Sequence, residues 1–266
     1  MKNRLKRLLE AGETAFGAQL RFGSPAIAEM FGLAGFDYLV LDGEHAPQTP
    51  VGIQSQLQAI AATPATPVVR LGKNDPELMR VYLDMGATAV LVPMVSTAEE
   101  AKRGADACRY PPRGTRGFGP ARADGYGFDP DYFARSDEEM LYIPIIETAE
   151  ALENLDEILA VDGVDTFIVG PCDLSISLGI PHDLEHPRFR EAVRRMARAA
   201  RDAGKPAGMS VYGDAFHPDT LRSFMDQGFP LLLIGGDQWL LQGVCRRVLD
   251  VYAQARTGKE RDACGA

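Results

Sequence analysis

The sequence predicts an α/β fold in which eight parallel strands alternate with helices, and three observations support this prediction. Short runs of Val, Ile and Leu recur along the chain, as in strands that are buried on both faces of a parallel sheet. Segments with apolar residues at helical spacing lie between most of these runs. The 266 residues, 45% of them hydrophobic, suffice for one large core without any linker. Eight such units favour a closed (β/α)8 barrel, a TIM barrel, as a single domain at residues 1–256.

The eight predicted strands are short and bounded by turn or charged residues. They lie at residues 14–20, 38–42, 67–71, 89–95, 141–147, 166–170, 207–211 and 231–234. Among the helices, 24–35 begins with Ser24 as a cap and Pro25 in the first turn, and 97–107 begins with a capping box. The other helices are predicted at residues 76–85, 149–159, 187–203, 218–227 and 238–255, with a short amphipathic helix over 1–9.

Two segments interrupt the alternation of strands and helices. Residues 110–131 are rich in Gly, Pro and Arg and follow the fourth strand. This is long for a strand-to-helix connection, so we expect either a cover over the active site or a subunit contact. Residues 257–266 form a polar tail that we expect to be disordered.

Composition and charge exclude several classes of protein. The net charge of -9 and the pI near 5.0 argue against nucleic acid and anionic membranes as partners. No apolar run approaches the roughly 18 residues that span a bilayer. The four cysteines lack the close paired spacing of a zinc knuckle or a disulfide framework, which favours a reducing cytoplasm. The Gly-x-Gly-x-x-Gly motif is absent from the required strand–helix setting, so no nucleotide cofactor is expected.

Polar residues follow most of the predicted strands, where the active sites of such barrels lie. Reading the strand ends in order gives Gln19, Asp42, Glu44, His45, Arg70, Glu147, Asp173, Ser210 and Asp237. Carboxylates at the ends of adjacent strands, with no cysteine cluster and few histidines, favour a hard ion such as Mg²⁺ or Mn²⁺. A 2-oxo acid could chelate such an ion through its carboxylate and keto oxygens.

The remaining polar residues suit the chemistry of that chelate. Arg70 would stabilise an enolate oxygen, and His45 would take or return a proton directly or through water. Asp84, in the helix after the third strand, could hydrogen-bond His45 and raise its basicity. In the turn after Gly170, the N–H groups of Cys172 and Asp173 could hold the substrate carboxylate.

Simpler interpretations remain open for each of these residues. A single strand-end carboxylate is more often a helix cap or a solvated charge than a metal ligand. Arg70 could form a structural ion pair with Asp42 or Glu44, and the sequence does not separate these two acids. Asp84 could face solvent, and Cys172 is better explained as a small packed residue than as a nucleophile.

Five segments of the chain resemble one family in combination. They are FDYLVLDGEHAP at 36–47, PVVR at 67–70, LVPMV at 91–95, YPPRGTRG at 110–117 and VGPCDL at 169–174. Through them the chain, from residue 8 to 255, resembles the HpcH/HpaI aldolases, class II metal-dependent pyruvate aldolases. Known members act on 4-hydroxy-2-oxoheptanedioate, 2-dehydro-3-deoxyglucarate and related sugar acids. The resemblance implies a (β/α)8 barrel, Mg²⁺, Mn²⁺ or a similar ion such as Co²⁺, and a hexamer that exchanges the C-terminal helix between subunits.

The resemblance also implies a role for each matching position. It assigns metal ligation to Glu147 and Asp173, acid–base chemistry to His45, enolate stabilisation to Arg70, the tuning of His45 to Asp84, and the pyruvate carboxylate to the turn of Gly170, Cys172 and Asp173. These assignments agree with the interpretation drawn from the residues themselves, which leaves Asp84 undecided.

The chain departs from the family pattern at several positions of the substrate site. Ile145 stands where the family often has Gln, Gln19 where it often has Trp, and Cys172 where Ala is commoner. Ser210 ends the seventh strand, where apolar residues often meet the aldehyde. We therefore expect a more polar aldehyde, with hydroxypyruvate as an alternative donor to pyruvate.

The sequence thus predicts a cytoplasmic aldehyde-lyase that joins a pyruvate or hydroxypyruvate enolate to an aldehyde. One alternative is a related metal–enolate lyase acting on acyl-CoA or citrate-like substrates. Another, of a different class, is a catalytically inactive barrel used for binding. The combination of Glu147, Asp173, Arg70 and His45 speaks against the inactive barrel.

Overall fold

The computed structural model describes residues 3–212 and 217–257, and its core is a closed barrel of eight parallel strands. The strands are β1 (Ala15–Leu20), β2 (Tyr38–Asp42), β3 (Thr66–Arg70), β4 (Ala89–Val92), β5 (Leu141–Ile146), β6 (Phe167–Val169), β7 (Ala207–Val211) and β8 (Leu231–Gly236). Each strand pairs with the next along the chain, and β8 pairs with β1 to close the barrel. The predicted (β/α)8 fold is confirmed.

Helices surround the barrel and close one of its ends. They are α1 (Arg4–Glu10), α2 (Pro25–Ala34), α3 (Pro50–Ile60), α4 (Pro76–Asp84), α5 (Ala98–Cys108), α6 (Tyr132–Glu139), α7 (Ala149–Glu153), α8 (Leu155–Ala160), α9 (Pro171–Ser177), α10 (Pro187–Asp202), α11 (Pro218–Asp226) and α12 (Asp237–Thr257). The predicted helices are all present, although 149–159 divides at Asn154 into α7 and α8. The sequence analysis missed α3, α6 and α9.

Side chains of each strand point alternately into the barrel and toward the helices, as the pleat of a strand requires. The interior is filled by a layer that includes Val40, Val68, Ile143 and Leu233. Gly17 leaves room there for the fully buried ring of Tyr38. The same alternation brings strand-end polar residues to the C-terminal mouth, directly above this layer.

The N-terminal end of the barrel is closed by α1. Leu5 is fully buried and packs with the interior layer, and its backbone N–H donates to Thr66 Oγ1 at 2.9 Å. Asn3 caps the helix and donates through Nδ2 to the carbonyls of Thr88 and Glu139. A site in the barrel interior can therefore be reached from solvent only at the opposite, C-terminal end.

The prediction for residues 110–131 needs correction. The segment follows α5, which has already returned the chain to the N-terminal face. There Arg116 pairs with Asp84, and Arg122 donates to the carbonyls of Met85 and Leu57. The segment is therefore a helix-to-strand connection, which cannot cover the active site of its own chain. A role in subunit contact stays a prediction.

Two chain boundaries differ from the prediction or escape it. β4 ends at Val92 rather than at residue 95, because Pro93 has no N–H for the ladder and Met94 adopts a φ of 55°. Helix α12 continues to Thr257, and the rest of the predicted tail, 258–266, lies outside the described residues.

Replacing Gly17 with alanine should destabilise the barrel. The added Cβ would collide with the Tyr38 ring, which is fully buried and has no free space to move into. We expect a loss of about 1–3 kcal/mol, the usual cost of overpacking a core, measured by urea unfolding. Gly119→Ala is the matched control, since nothing lies within 4 Å of the added Cβ there. Equal stability of the two variants would contradict this packing argument.

Candidate active site

A cavity of about 280 Å³ opens at the C-terminal mouth of the barrel. Its lining includes eight of the predicted site residues, namely Gln19, His45, Arg70, Glu147, Gly170, Cys172, Asp173 and Ser210. Leu91, Ile145, Ile168 and Leu233 form its floor. A cavity of similar size, about 290 Å³, lies at the N-terminal face and contains none of these residues. The mouth of the barrel is therefore the candidate active site.

Asp42 organises one side of this mouth. Its carboxylate is fully buried and accepts a hydrogen bond from Gln19 Nε2 at 2.6 Å. It also accepts the backbone N–H groups of Glu44 and His45, each at 3.0 Å. The Nε of Arg21 lies 3.2 Å from its second oxygen. Asp42 thus holds the turn that carries Glu44 and His45.

Arg21 connects this turn to the beginning of α12. It donates to the His45 carbonyl and to Gln238 Oε1, each at 3.0 Å. Its guanidinium lies 5.4 Å from the ring centre of Trp239. The backbone N–H of Arg21 donates to Asp237, the first residue of α12. β1, the β2 turn and α12 therefore form one connected network.

Glu44 lies between Arg70 and His45. It forms a short ion pair with Arg70, and one of its oxygens lies 3.5 Å from His45 Nε2. Burial raises the pKa of Glu44, while the charges of Arg70 and His45 oppose that rise. The structure thus distinguishes two acids that the sequence could not: Asp42 supports the turn, and Glu44 contacts the candidate catalytic residues.

Glu147, which follows β5, has an environment adapted to its carboxylate. The residue is 3% exposed, and its Oε1 accepts the N–H of Met94 at 2.8 Å. Met94 achieves this with a φ of 55°, a strained conformation for a residue with a side chain. A Cβ on Gly170 would lie 2.6 Å from Glu147 Oε2. Glycine at 170 therefore keeps the second oxygen accessible.

Glu147 and Asp173 together fit a divalent cation. Burial, with a smaller contribution from the nearby charge of Asp173, raises the pKa of Glu147 to about 7 against the opposing effects of the Met94 N–H and Arg70. Neither Glu147 Oε2 nor the Asp173 carboxylate accepts a hydrogen bond from the described residues. Two nearby carboxylates that repel each other, with oxygens that accept no hydrogen bond from this part of the chain, match a hard ion such as Mg²⁺. Residues 3–212 and 217–257 contain no group of three or more His, Cys, Asp or Glu side chains placed to hold a metal ion.

Asp84 does not reach His45 within one chain. It ends α4 at the N-terminal face, and its Oδ1 accepts a hydrogen bond from Arg116 Nη2 at 2.7 Å. His45 lies at the opposite end of the barrel, with more than half of its side chain exposed. The predicted hydrogen bond is therefore not formed between these two described residues, and a second copy of the chain would be needed to make it.

Cys172 and Asp173 lie in the first turn of α9, where backbone N–H groups have no carbonyl of their own helix to bind. Burial raises the pKa of the Cys172 thiol, which disfavours the nucleophilic thiolate. This agrees with a packed residue, while the binding of a substrate carboxylate in this turn stays a prediction.

The sequence analysis missed three residues that line the cavity: Arg21, Tyr212 and Trp239. Arg21 and Tyr212 each follow a predicted site residue by two positions. Because side chains on one face of a strand recur every second residue, this spacing was the available signal. Trp239 is the single tryptophan of the chain and gave no comparable signal.

Comparison with known proteins supports one family. The sequence pattern described as "HpcH/HpaI aldolase/citrate lyase" matches residues 20–241. A 4-hydroxy-2-oxo-heptane-1,7-dioate aldolase from Salmonella dublin is 39% identical over 268 aligned residues, covering 100% of this chain and 98% of that protein.

Two solved structures are also similar. An HpcH/HpaI aldolase/citrate lyase family protein from Burkholderia cenocepacia J2315 is 34% identical with a TM-score of 0.88, covering 94% of this chain and 99% of its own. An HpcH/HpaI aldolase from Desulfitobacterium hafniense DCB-2 is 29% identical with a TM-score of 0.86, covering 98% and 99%.

The fold, the site and these relatives define an enzyme of the lyase class on a (β/α)8 barrel. The chain belongs to the HpcH/HpaI aldolase/citrate lyase family, in which a divalent metal is generally required. The resemblance identified from the sequence is confirmed. No described helix is both long and apolar enough to cross a membrane.

Replacing Glu147 with glutamine should stabilise the metal-free protein in a pH-dependent way. Because burial raises the pKa of Glu147 from 4.5 to about 7, charging it costs folding free energy progressively as the pH rises from 4.5 through 7. Glu147→Gln avoids that cost, so we expect its advantage in thermal midpoint over the parent to grow between pH 5 and pH 8 in EDTA.

Glu29→Gln, at an exposed position of α2, is the control and should show no such trend. An advantage of Glu147→Gln that is constant across this pH range would contradict the burial argument.

Proposed function

We propose that the protein is a divalent-metal-dependent aldolase that cleaves 4-hydroxy-2-oxo acids to a pyruvate-type product and an aldehyde, and catalyses the reverse addition. One observation carries the proposal: Glu147, whose Oε2 accepts no hydrogen bond from the described residues, shares a cavity with the carboxylate of Asp173 and the guanidinium of Arg70. The 4-hydroxy-2-oxo-heptane-1,7-dioate aldolase of Salmonella dublin, similar over its full length, supports the same reaction class.

Glu147 and Asp173 would hold the cation, with Mg²⁺ or Mn²⁺ favoured by their oxygen donors and Co²⁺ as an alternative. When bound, the ion supplies polarisation of the keto oxygen and acidifies the neighbouring C–H group. Arg70 then stabilises the negative charge that develops on the enolate oxygen. Its side chain is 10% exposed, so this charge interacts in a partly dry environment.

His45 is the proposed acid–base group, acting directly or through one water. In cleavage it takes the proton of the C4 hydroxyl, the C3–C4 bond breaks, and the electron pair of that bond forms the enolate. The aldehyde leaves, and C3 then receives a proton. Glu44 Oε2 lies 3.5 Å from His45 Nε2, so the imidazolium produced in the first step would lie beside a carboxylate.

The donor pocket also accommodates hydroxypyruvate in this proposal. Ile145, two residues before Glu147, presents an apolar side chain to the cavity. The turn of Gly170, Cys172 and Asp173 would bind the donor carboxylate. The alternative substrates, acyl-CoA and citrate-like acids, are less well supported because both arginines of the cavity already pair with acids, Arg21 with Asp42 and Arg70 with Glu44.

We also propose that the subunits form a hexamer and exchange α12. Apolar side chains along this helix are 53–65% exposed in the single chain, among them Leu241, Val244, Val248 and Tyr252. The contacts of α12 with its own barrel are mainly to β1 and β8. Such a row of exposed apolar residues indicates burial against another subunit.

The domain at 1–256 and the cytoplasmic location stay predictions.

Metal removal and the loss of Arg70 test the reaction. We expect EDTA to abolish retro-aldol cleavage and added Mg²⁺ or Mn²⁺ to restore it. Arg70→Ala should reduce the exchange of pyruvate methyl protons with D₂O, followed by NMR, by at least about 100-fold, the scale of losing one charge-stabilising donor. Arg222→Ala, on an exposed face of α11, is the control. Full cleavage by the stripped enzyme, or exchange by Arg70→Ala at the parent rate, would refute the mechanism.

The assembly is tested by Val248→Asp. A charge in the buried interface should shift the sedimentation coefficient from that of a hexamer toward smaller species, because an unpaired charge is costly to bury. Val51→Asp is the matched control, since Val51 is 74% exposed on α3. A parent protein that sediments as a monomer at micromolar concentration would exclude the proposed exchange.

A further inference from the structure

We infer that the half of the cavity formed by β1 and β7 binds a small, uncharged aldehyde with a hydroxyl group beside its carbonyl, and that Tyr212 and Gln19 select it. This inference rests on the proposed aldolase function and names its acceptor class. The inferred aldehyde is uncharged, whereas the aldehyde half of the heptane-1,7-dioate in the name of the Salmonella relative carries a carboxylate.

The position of Gln19 follows from the closed strand order. In a barrel of eight strands, β1 lies opposite β5, so Gln19 faces Glu147 across the cavity. A donor held at Glu147 and Asp173 must extend its reactive carbon away from β5 and β6. The aldehyde therefore meets the wall that carries Gln19, Ser210 and Tyr212.

The orientation of the Gln19 amide is fixed by its partner. Its Nε2 donates to Asp42 at 2.6 Å, and a carboxylate can only accept there. The amide oxygen is thus directed to Tyr212, whose hydroxyl lies 3.5 Å away. That distance is at the limit of a hydrogen bond. Both groups therefore retain the capacity to bind a ligand hydroxyl, which can donate to Gln19 Oε1 and accept from Tyr212.

The phenol of Tyr212 is held in position by its neighbours. Its ring lies 5.0 Å from that of Trp239 with an interplanar angle of 36°, and Trp239 in turn contacts Arg21. Ser210 in β7 and Tyr212, which directly follows the strand, both line the cavity; Ser210 is 6% exposed and interacts with the phenol. A prearranged polar wall of this kind discriminates well against substrates that lack the matching hydroxyl.

The charges at this wall favour a neutral aldehyde. Arg21 is matched by the buried Asp42, and Arg70 by Glu44. Among the described residues that line the cavity, the only other basic side chain is His45, which the mechanism uses for proton transfer. A carboxylate on the aldehyde would therefore find no unpaired cation at this wall. Burying a charge without a partner is costly.

The test compares three aldehydes with pyruvate and the Mg²⁺-loaded full-length enzyme. Glycolaldehyde carries the hydroxyl, propanal replaces it with a methyl group of similar size, and succinic semialdehyde carries a carboxylate. We expect kcat/KM to be highest for glycolaldehyde. Tyr212→Phe keeps the ring against Trp239 and removes only the hydroxyl, so the ratio of kcat/KM for glycolaldehyde over propanal should fall about tenfold.

Tyr126→Phe, at a 62% exposed tyrosine of the N-terminal face, is the matched control and should keep the parent ratio. Ser210→Ala provides a second variant and should lower the ratio in the same direction. Two results would overturn this inference: a parent enzyme that prefers succinic semialdehyde, or a Tyr212→Phe variant whose ratio of kcat/KM for glycolaldehyde over propanal equals the parent's. If the parent still exchanges pyruvate protons, these results leave the proposed function standing. A parent with neither proton exchange nor addition would overturn both this inference and the proposed function.

Discussion

The buried carboxylate of Asp42 is the constraint on which the rest of the site depends. A charge with no exposure to water is tolerated only when neighbouring groups replace its hydration. Here those groups are the Gln19 amide, the Arg21 guanidinium and the N–H groups of Glu44 and His45. Satisfying one acid thus fixes two strand ends and a turn. Removing it would leave Arg21 without its counter-charge and release the turn that brings Glu44 to Arg70.

The two faces of the cavity are built by different means. On the β5 and β6 side the backbone adapts to the acids: Met94 adopts a left-handed conformation to bind Glu147, and Gly170 leaves space beside it. The negative charge there is left uncompensated, as a site for a cation requires. On the β1 and β7 side, side chains compensate one another and the wall is neutral. The barrel therefore separates a negatively charged region, the proposed donor site, from a neutral polar region, the proposed acceptor site.

The fold and most of the site could be predicted because both follow from local patterns. Apolar runs that end in charge identify the strands and their mouth, so Glu147, Arg70 and His45 were found together. The position of residues 110–131 could not be deduced from their composition. After β4 the chain runs through α5 back to the N-terminal face before residue 110. The prediction instead placed residues 110–131 directly after the strand, at the C-terminal face. The same return of the chain separates Asp84 from His45.

Asp42 and Glu44 show a finer limit. Asp42 ends β2 and Glu44 follows it by two residues, and only the backbone of the turn decides that Asp42 is enclosed while Glu44 reaches Arg70. No property of the two side chains in isolation carries that information. Tyr212 is a different case: its spacing of two residues from Ser210 was a usable signal in the sequence, although the residue was missed.

The first turn of helix α12 contacts the cavity, whereas its later turns are exposed. Substitutions along this one helix can therefore affect both the cavity and the outer surface. Its first turn supplies Trp239 to the acceptor wall and Asp237 to the backbone of Arg21, while its later turns expose Val244 and Val248. A rigid helix transmits displacement along its length. Substitutions at the distal turns that alter quaternary packing would then also tilt the indole beneath the phenol. Under the proposed assembly and the inferred acceptor binding, one helix therefore carries residues of both, and a change at one end would affect the other.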